Sequence, residues 1–326
     1  MTAGEILDQR LLEILRCPVS GLPLRLDDTA LISSDGTRRY AIIAGIPCMI
    51  PEEAQATHTG YTGLLEENQR HINRASGLDD DSVNEFIEKM IVPTCGNLFH
   101  GVRFSGAYPI PDFPEYRAGT TLLDLGCNWG RWTIAGAKAG YKMIGVDIHL
   151  RALLCARRLS RRLVPKNEPL FVLADARYLP FASASFDGIF SYSVVQHFSK
   201  SNAAHILGEF ERVMTSGAKS LVQMPNKTGL RALLTLGSKR NSEGSEFDVR
   251  YYAIKELVEM FEGIIGESDW FVDCFLGLNV HNRDRKFIPS SKKWIIDLAE
   301  LLLRISRKVP ILGRLSDSIF IRSTKA

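Results

Sequence analysis

The stretch Leu122-Leu123-Asp124-Leu125-Gly126-Cys127-Asn128-Trp129-Gly130 decides the fold. An apolar run over Thr121–Leu125 with an acid near its end reads as a buried strand. The glycines after it read as a turn opening a helix over Arg131–Ala139. Gly126 and Gly130 lack a Cβ, so the backbone can turn sharply and approach a ligand closely. A helix N-terminus behind such a turn receives a carboxylate or phosphate. A dinucleotide-binding fingerprint would continue as GxGxxG. Counted from Gly126, its second and third glycines fall on Asn128 and Arg131, which disfavours a nicotinamide oxidoreductase.

Outward from this loop, strands and helices alternate. Lys142–Val146, Leu170–Ala174, Gly188–Ser191 and Lys219–Met224 read as strands, and Leu150–Val164 and Ala203–Met214 as helices. Apolar strands without alternation, separated by helices, indicate an α/β fold with a doubly wound parallel sheet. A second acid, Asp147, sits in Ile144-Gly145-Val146-Asp147-Ile148, and a third, Asp175, in Leu173-Ala174-Asp175-Ala176-Arg177. Asp124, Asp147 and Asp175 therefore follow three successive strands, along the crevice where such sheets bind ligands. A carboxylate at Asp147 can accept two hydrogen bonds from ribose hydroxyls, and it can equally cap the helix that follows.

The 326 residues carry 40 Lys+Arg and 37 Asp+Glu, a net charge of +3, with 45% hydrophobic residues. That composition excludes a disordered or fibrous chain. Six scattered cysteines without a CxxC pair fit a reducing cytoplasm better than a disulfide scaffold. No run approaches the ~18 uncharged apolar residues of a spanning helix, and the opening residues MTAGEILDQR lack the apolar stretch of a secretory signal. Charge is unevenly spread. Arg283–Ala326 holds 11 Lys+Arg against 4 Asp+Glu, and Arg151–Lys166 holds six Lys+Arg and no acid. These are read as solvated faces, or as attraction to an anionic partner.

Four divisions follow. Residues 1–55 predict a small α+β domain: a helix over 5–16, then short strands with a Ser34-Asp35-Gly36 hairpin turn. Residues 56–118 predict loops and a short helix over Ser82–Met90, with a proline-rich connector or lid from Pro93 to Pro114. Residues 119–280 hold the alternating unit. Residues 281–326 predict a basic amphipathic helix, Lys292–Lys308, and a tail. That helix aligns Trp294, Ile295, Leu298, Leu301, Leu302 and Ile305 on one face, for packing, a dimer seam or a membrane surface.

The segments LLDLGCNWG, GVDIH, LADARYLPF, FDGIFSYSVVQHFS and ERVMTSGAKSLVQMPN together resemble the class I S-adenosylmethionine-dependent methyltransferases, in particular the branch of ubiquinone and menaquinone methylases. The resemblance spans residues 118–226, and Arg250–Glu262 is similar to the helix after the family's fifth strand. It implies a Rossmann-like, mostly parallel seven-stranded sheet and S-adenosyl-L-methionine as cofactor. It implies that Asp124, Gly126 and Gly130 surround the methionine moiety, with Cys127 and Asn128 in the same loop. Asp147, followed by Ile148, would hold the ribose. Asp175 and Ala176 would face the adenine, and Ser191 would line the fourth strand's end. Asn128 departs from the family's usual glycine, although asparagine tolerates the left-handed conformation. The N-terminal LLEILRCPVSGLPLRL and LISSDGTRRYAIIAGIPCMIPEEA resemble the small zinc-ribbon-like tRNA-methyltransferase activator family. Its zinc would need four ligands, and with only Cys17 and Cys48 here no metal is expected.

A sulfonium methyl is already an activated electrophile, so transfer needs an in-line nucleophile and exclusion of water. A base is needed only where the acceptor must lose a proton. His197, just after the fourth strand, is the candidate base, with His100 in the connector as the alternative. Tyr108, Tyr192, Tyr251 and Tyr252 are candidates to line a substrate pocket, and Cys127 reads as a packing residue. The expected function is methyl transfer to a small-molecule, lipid-linked or glycan-linked acceptor, with peripheral membrane contact through the C-terminal helix. A noncatalytic Rossmann-like partner module and a protein or nucleic-acid methyltransferase stay open. The Ser191-Tyr192-Ser193-Val194 sequence after the fourth strand argues against base amino-group methylation.

Overall fold

The computed structural model describes residues 7–28, 30–54, 59–74, 78–102, 107–230, 232, 249–277 and 282–326. The first described element is helix α1 (Gln9–Ile14), capped by the Asp8 carboxylate, which accepts from the Arg10 N–H. The helix is shorter than the periodicity predicts. Its expected first residues lie partly outside the described ones, and Leu15 turns extended to bridge Phe181. Strands β1 (Leu24–Asp27), β2 (Ala30–Ser33), β3 (Arg39–Ile43) and β4 (Ile46–Pro47) then form a small antiparallel sheet in sequential order.

Residues 56–118 carry more helix than composition implies. Helices α2 (Thr59–Arg74) and α3 (Asp80–Cys95) fill much of the stretch. The acidic run Asp79-Asp80-Asp81, just ahead of the predicted Ser82–Met90 helix, caps and opens α3. Asp79 accepts from the Ser82 N–H, while Asp80 and Asp81 occupy the first turn, where the helix dipole favours negative charge. The connector beyond α3 is packed: Tyr108 and Ile110 are buried, and Phe113 and Tyr116 lie against Tyr141 and one another.

The main unit follows as β5 (Thr121–Leu125), α4 (Arg131–Lys138), β6 (Lys142–Asp147), α5 (Leu150–Leu163), β7 (Leu170–Leu173), β8 (Phe186–Tyr192), α6 (Lys200–Val213) and β9 (Met214–Pro225). Then come α7 (Ile254–Ile264), β10 (Ser268–Cys274), α8 (Lys293–Ser306), α9 (Pro310–Gly313) and β11 (Ser318–Thr324). The seven-stranded sheet runs β10-β11-β9-β8-β5-β6-β7. The strands from β9 to β7 are parallel, whereas β11 lies antiparallel to both β9 and β10. This is the doubly wound, mostly parallel α/β sheet that the sequence predicts. The predicted C-terminal tail is corrected: residues 318–324 are β11, inserted between β10 and β9. The short apolar run Ile319-Phe320-Ile321, buried throughout, is its strand signal, masked by the basic residues around it.

Both faces of the sheet are covered, which is why β5 carries no polar alternation. Leu123 and Leu125 enter one core with Phe210, Phe261, Leu11 and Leu15. Leu122 enters the other, with Trp129, Ile87, Ile134 and Ile296. Gly130 sits where α4 meets α5, at φ +81°, and a Cβ there would lie 2.8 Å from the Ala156 Cβ. Gly130→Ala therefore combines a left-handed backbone with a clash, and is expected to cost about 1–3 kcal/mol of stability in urea denaturation.

Candidate active site

A cavity of about 860 Å³ opens over the carboxyl ends of the parallel strands. Its floor is the loop after β5, the ends of β6, β8 and β9, and the residues following β7. The helices α2 and α3 contribute Leu64, Glu67, Thr94 and the nearby Asn97. The far end is built by Cys274, Asp317 and Ser318.

The loop after β5 needs its unusual residues. Gly126 has φ +75°, and a Cβ there would fall 2.1 Å from Val194 Cγ2. Asn128 adopts φ +47°, the left-handed region that asparagine accepts at low cost, and its side-chain oxygen accepts from the Trp129 N–H at 2.8 Å. The Asn128 N–H donates to Asp147 Oδ2 at 2.8 Å, and the His149 N–H donates to Asp147 Oδ1 at 2.9 Å. The loop after β6 is clamped by Asn68 of α2, which donates to the Ile148 carbonyl and accepts from the Leu150 N–H. Burial raises the Asp147 carboxyl above the usual range, against the pull of its backbone hydrogen bonds.

The three strand-end acids take different positions. Asp147 lines the cavity, together with Gly126, Cys127, Asn128, Ile148, Ala176 and His197. Asp124 lies behind the glycine turn, only 1% exposed, and accepts from Thr133 Oγ1 at 2.5 Å. Burial pushes its carboxyl up to about 7. Asp175 turns onto the guanidinium of Arg177, with Arg177 Nη2 at 2.7 Å and Nε at 3.0 Å, so that Ala174 and Ala176 face the cavity instead. Gly130 serves the α4–α5 contact. Ser191 is buried and donates to the Leu125 carbonyl at 3.1 Å, while its neighbour Ser193 reaches the cavity. Burial also pushes the Cys127 thiol well above its ordinary range, as suits a packing residue. His100 is exposed and lies off the cavity wall. Tyr192 and Tyr251 line the cavity, whereas Tyr108 and Tyr252 are buried outside it.

The far end holds residues that the sequence reading did not single out. Asp273 Oδ2 accepts from Tyr192 Oη at 3.0 Å, Ser318 Oγ at 2.7 Å and Gln223 Nε2 at 3.2 Å. Gln223 Oε1 in turn accepts from Ser193 Oγ at 2.7 Å. Burial raises the Asp273 carboxyl, while these donors and the positive Arg131 act to lower it. Arg131 lines the cavity too. Its guanidinium is held by Asp284 at 2.5 Å and by the Pro109 carbonyl at 2.9 Å. The cluster joins β8, β9, β10 and β11, so no local motif announces it. Among the described residues, no group of three or more His, Cys, Asp or Glu side chains could hold a metal ion.

A family model described as a methyltransferase domain matches residues 122–217. The chain is 28% identical over 135 residues to the 27-O-demethylrifamycin SV methyltransferase of Amycolatopsis mediterranei, covering 40% of this chain and 47% of that protein. It is 29% identical over 165 residues to an O-methyltransferase of Aspergillus sclerotiorum, covering 50% of this chain and 57% of that one. The chain thus spans about half the length of these methyltransferases. A UPF0434 protein of Nitrobacter winogradskyi is 52% identical over 50 residues, which is 15% of this chain and 76% of that protein.

The Asp124 carboxyl yields a pH prediction. In the unfolded chain it titrates near 3.8, and in the fold near 7. Its native-state pKa is raised, so its contribution to stability is present while it is protonated and is lost as pH rises from about 4 through about 7. Urea titrations at pH 5 and pH 8 should show a smaller fall in unfolding free energy for Asp124→Asn than for the unaltered protein. Equal falls would mean that Asp124 is ionised throughout.

Proposed function

With a methyltransferase domain over residues 122–217 and an N-terminal segment that belongs to the UPF0434 family, we propose that this chain is an S-adenosylmethionine-dependent methyltransferase. Its acceptor is a small molecule or a lipid- or glycan-linked group, and the methyl moves in line. The observation that carries this reading is the arrangement of Asp147 beside the Gly126–Gly130 turn at the cavity floor. A carboxylate offers about four lone-pair positions. Two are taken by the Asn128 and His149 N–H groups, which leaves capacity for the two hydroxyls of a ribose. Gly126, whose Cβ position is taken up by Val194, lines the cavity beside Asp147 where the methionine end would lie, and Ala174 and Ala176 offer an apolar wall for the adenine.

When bound, S-adenosylmethionine supplies a methyl on a sulfonium, already activated for displacement. The remaining work is done by the chain. Arg131, Trp132, Tyr192 and the α2–α3 side chains enclose the reacting groups and keep water out. The far-end cluster of Tyr192, Ser193, Gln223 and Ser318, organised by Asp273, orients a polar acceptor. The O-methyltransferase among the relatives supports a hydroxyl acceptor. A hydroxyl must lose its proton during attack, and His197 on the cavity wall is the side chain assigned to take it.

Calorimetry and isotope transfer test the reading. Asp147→Ala should weaken S-adenosylmethionine binding by about 1.5–3 kcal/mol for each lost hydrogen bond to the charged group. Unchanged affinity would place the ribose elsewhere. His197→Ala should slow turnover about 10²–10⁴-fold while sparing that affinity. Cofactor bound by the unaltered protein with no labelled methyl reaching any fraction of a cell extract would favour the noncatalytic partner reading.

A further inference from the structure

The excursion between β10 and β11 carries an apolar face that the other described residues leave exposed. Helix α8 docks by Ile296, which is 2% exposed and enters the core that α3 shares. On its opposite side, Trp294 is 62% exposed, and Leu298, Leu301 and Ile305 continue at helical spacing to form a single exposed stripe. Beyond the helix, Ile311 is 72% exposed. Such a run of large side chains in water is unfavourable unless something covers it.

Charge indicates what covers it. Lys292 and Lys293 stand at the start of α8, and Arg304, Arg307 and Lys308 at its end, with Arg314 directly after α9. Both acids of the helix are engaged by arginines: Asp297 pairs with Arg285, and Glu300 lies 3.6 Å from Arg304. Because both ends are basic, a second copy of the helix would meet like charge in either direction. Antiparallel pairing sets Lys292 and Lys293 against Arg307 and Lys308, and parallel pairing sets each cluster on itself. An apolar stripe bounded by cations is instead complementary to the acyl and headgroup layers of an anionic bilayer.

We propose that α8 and α9 form a membrane-docking face that seats this protein on an anionic lipid surface, with the helix lying in the interface. No described helix is long and apolar enough to cross a membrane, so the contact is peripheral. The same excursion reaches the cavity. Asp284 grips Arg131, and Asp317 and Ser318 follow directly after the docking face to line the far end. The excursion that carries the docking face is thus also tied to the cavity's far end. The proposal stands on this surface alone, independent of the methyl-transfer reading.

Flotation of the full chain with vesicles tests it. The protein should float with phosphatidylcholine vesicles containing about one-third phosphatidylglycerol at ~0.1 M salt, and much less at ~1 M salt or with phosphatidylcholine alone. Leu298→Glu/Leu301→Glu should lower the partition at least tenfold, and so should Arg307→Glu/Lys308→Glu. Both pairs lie on exposed positions, so thermal unfolding and S-adenosylmethionine binding should match the unaltered protein, which keeps a folding defect and a failure of the cofactor reading distinguishable from a failure of docking. Absence of flotation by the unaltered protein, flotation that survives either double change, or a dimer in vesicle-free buffer that Leu298→Glu/Leu301→Glu dissociates would each overturn the proposal.

Discussion

One carboxylate ties the working end of this molecule together. Asp147 ends β6, yet its two oxygens hold backbone N–H groups from different loops: Asn128 from the turn after β5 and His149 from the turn into α5. A buried carboxylate without such donors would carry a desolvation penalty of several kcal/mol and would neutralise instead. With them, the charge is partly compensated and the two loops are fixed in register. The Gly126 and Asn128 backbones can then hold left-handed conformations, because neighbouring bonds over-determine them. The starts of α4 and α5 follow from that placement.

The same arrangement explains which parts of the molecule are legible in the sequence. The parallel half announces itself, since strands buried on both faces must be apolar throughout and the loops at their ends need glycines and acids. The roles of those acids are less legible. Asp124, Asp147 and Asp175 occupy equivalent places after their strands, but what a carboxylate faces depends on its neighbours. Thr133 draws Asp124 inward, and Arg177, two residues along, captures Asp175. Of the cavity's far end only Tyr192 is legible. Asp273 and Ser318 meet across an antiparallel pair separated by the whole α8–α9 excursion, and the residues between them have the charge of a solvated tail. The helices α2 and α3 were obscured for a different reason. Their polar and acidic residues cap the helices and clamp loops, as Asp79 and Asn68 do, and such residues read as loop where the partner is unknown.

The N-terminal unit has a structural logic that reaches the same site. Its four short strands cannot bury enough apolar surface to stand alone at about fifty residues. It gains a core by joining two clusters of the main unit. Leu11, Leu15 and Met49 enter one, and Ile43, Ile46 and Cys48 the other. It also covers the open edge of the large sheet. The Met49 N–H donates to the Leu173 carbonyl at 2.7 Å, and Arg16 and Ala182 exchange backbone bonds with Pro180 and Ile14. An uncovered β7 would present a row of unpaired backbone groups to other chains.

That attachment falls on the segment that carries the cavity wall. Leu173 bonds outward to the N-terminal unit through its carbonyl, while the next residue, Ala174, donates its N–H inward to the Asp147 carbonyl at 3.1 Å. The two bonds are one residue apart on the same chain, so displacement of the small unit would slacken the strand end that presents Ala174 and Ala176 to the cavity and that pairs with the backbone of Asp147. The small sheet thus acts as a buttress fused in cis. It steadies β7 at its otherwise exposed edge, and through β7 it steadies the carboxylate on which both cavity loops hang.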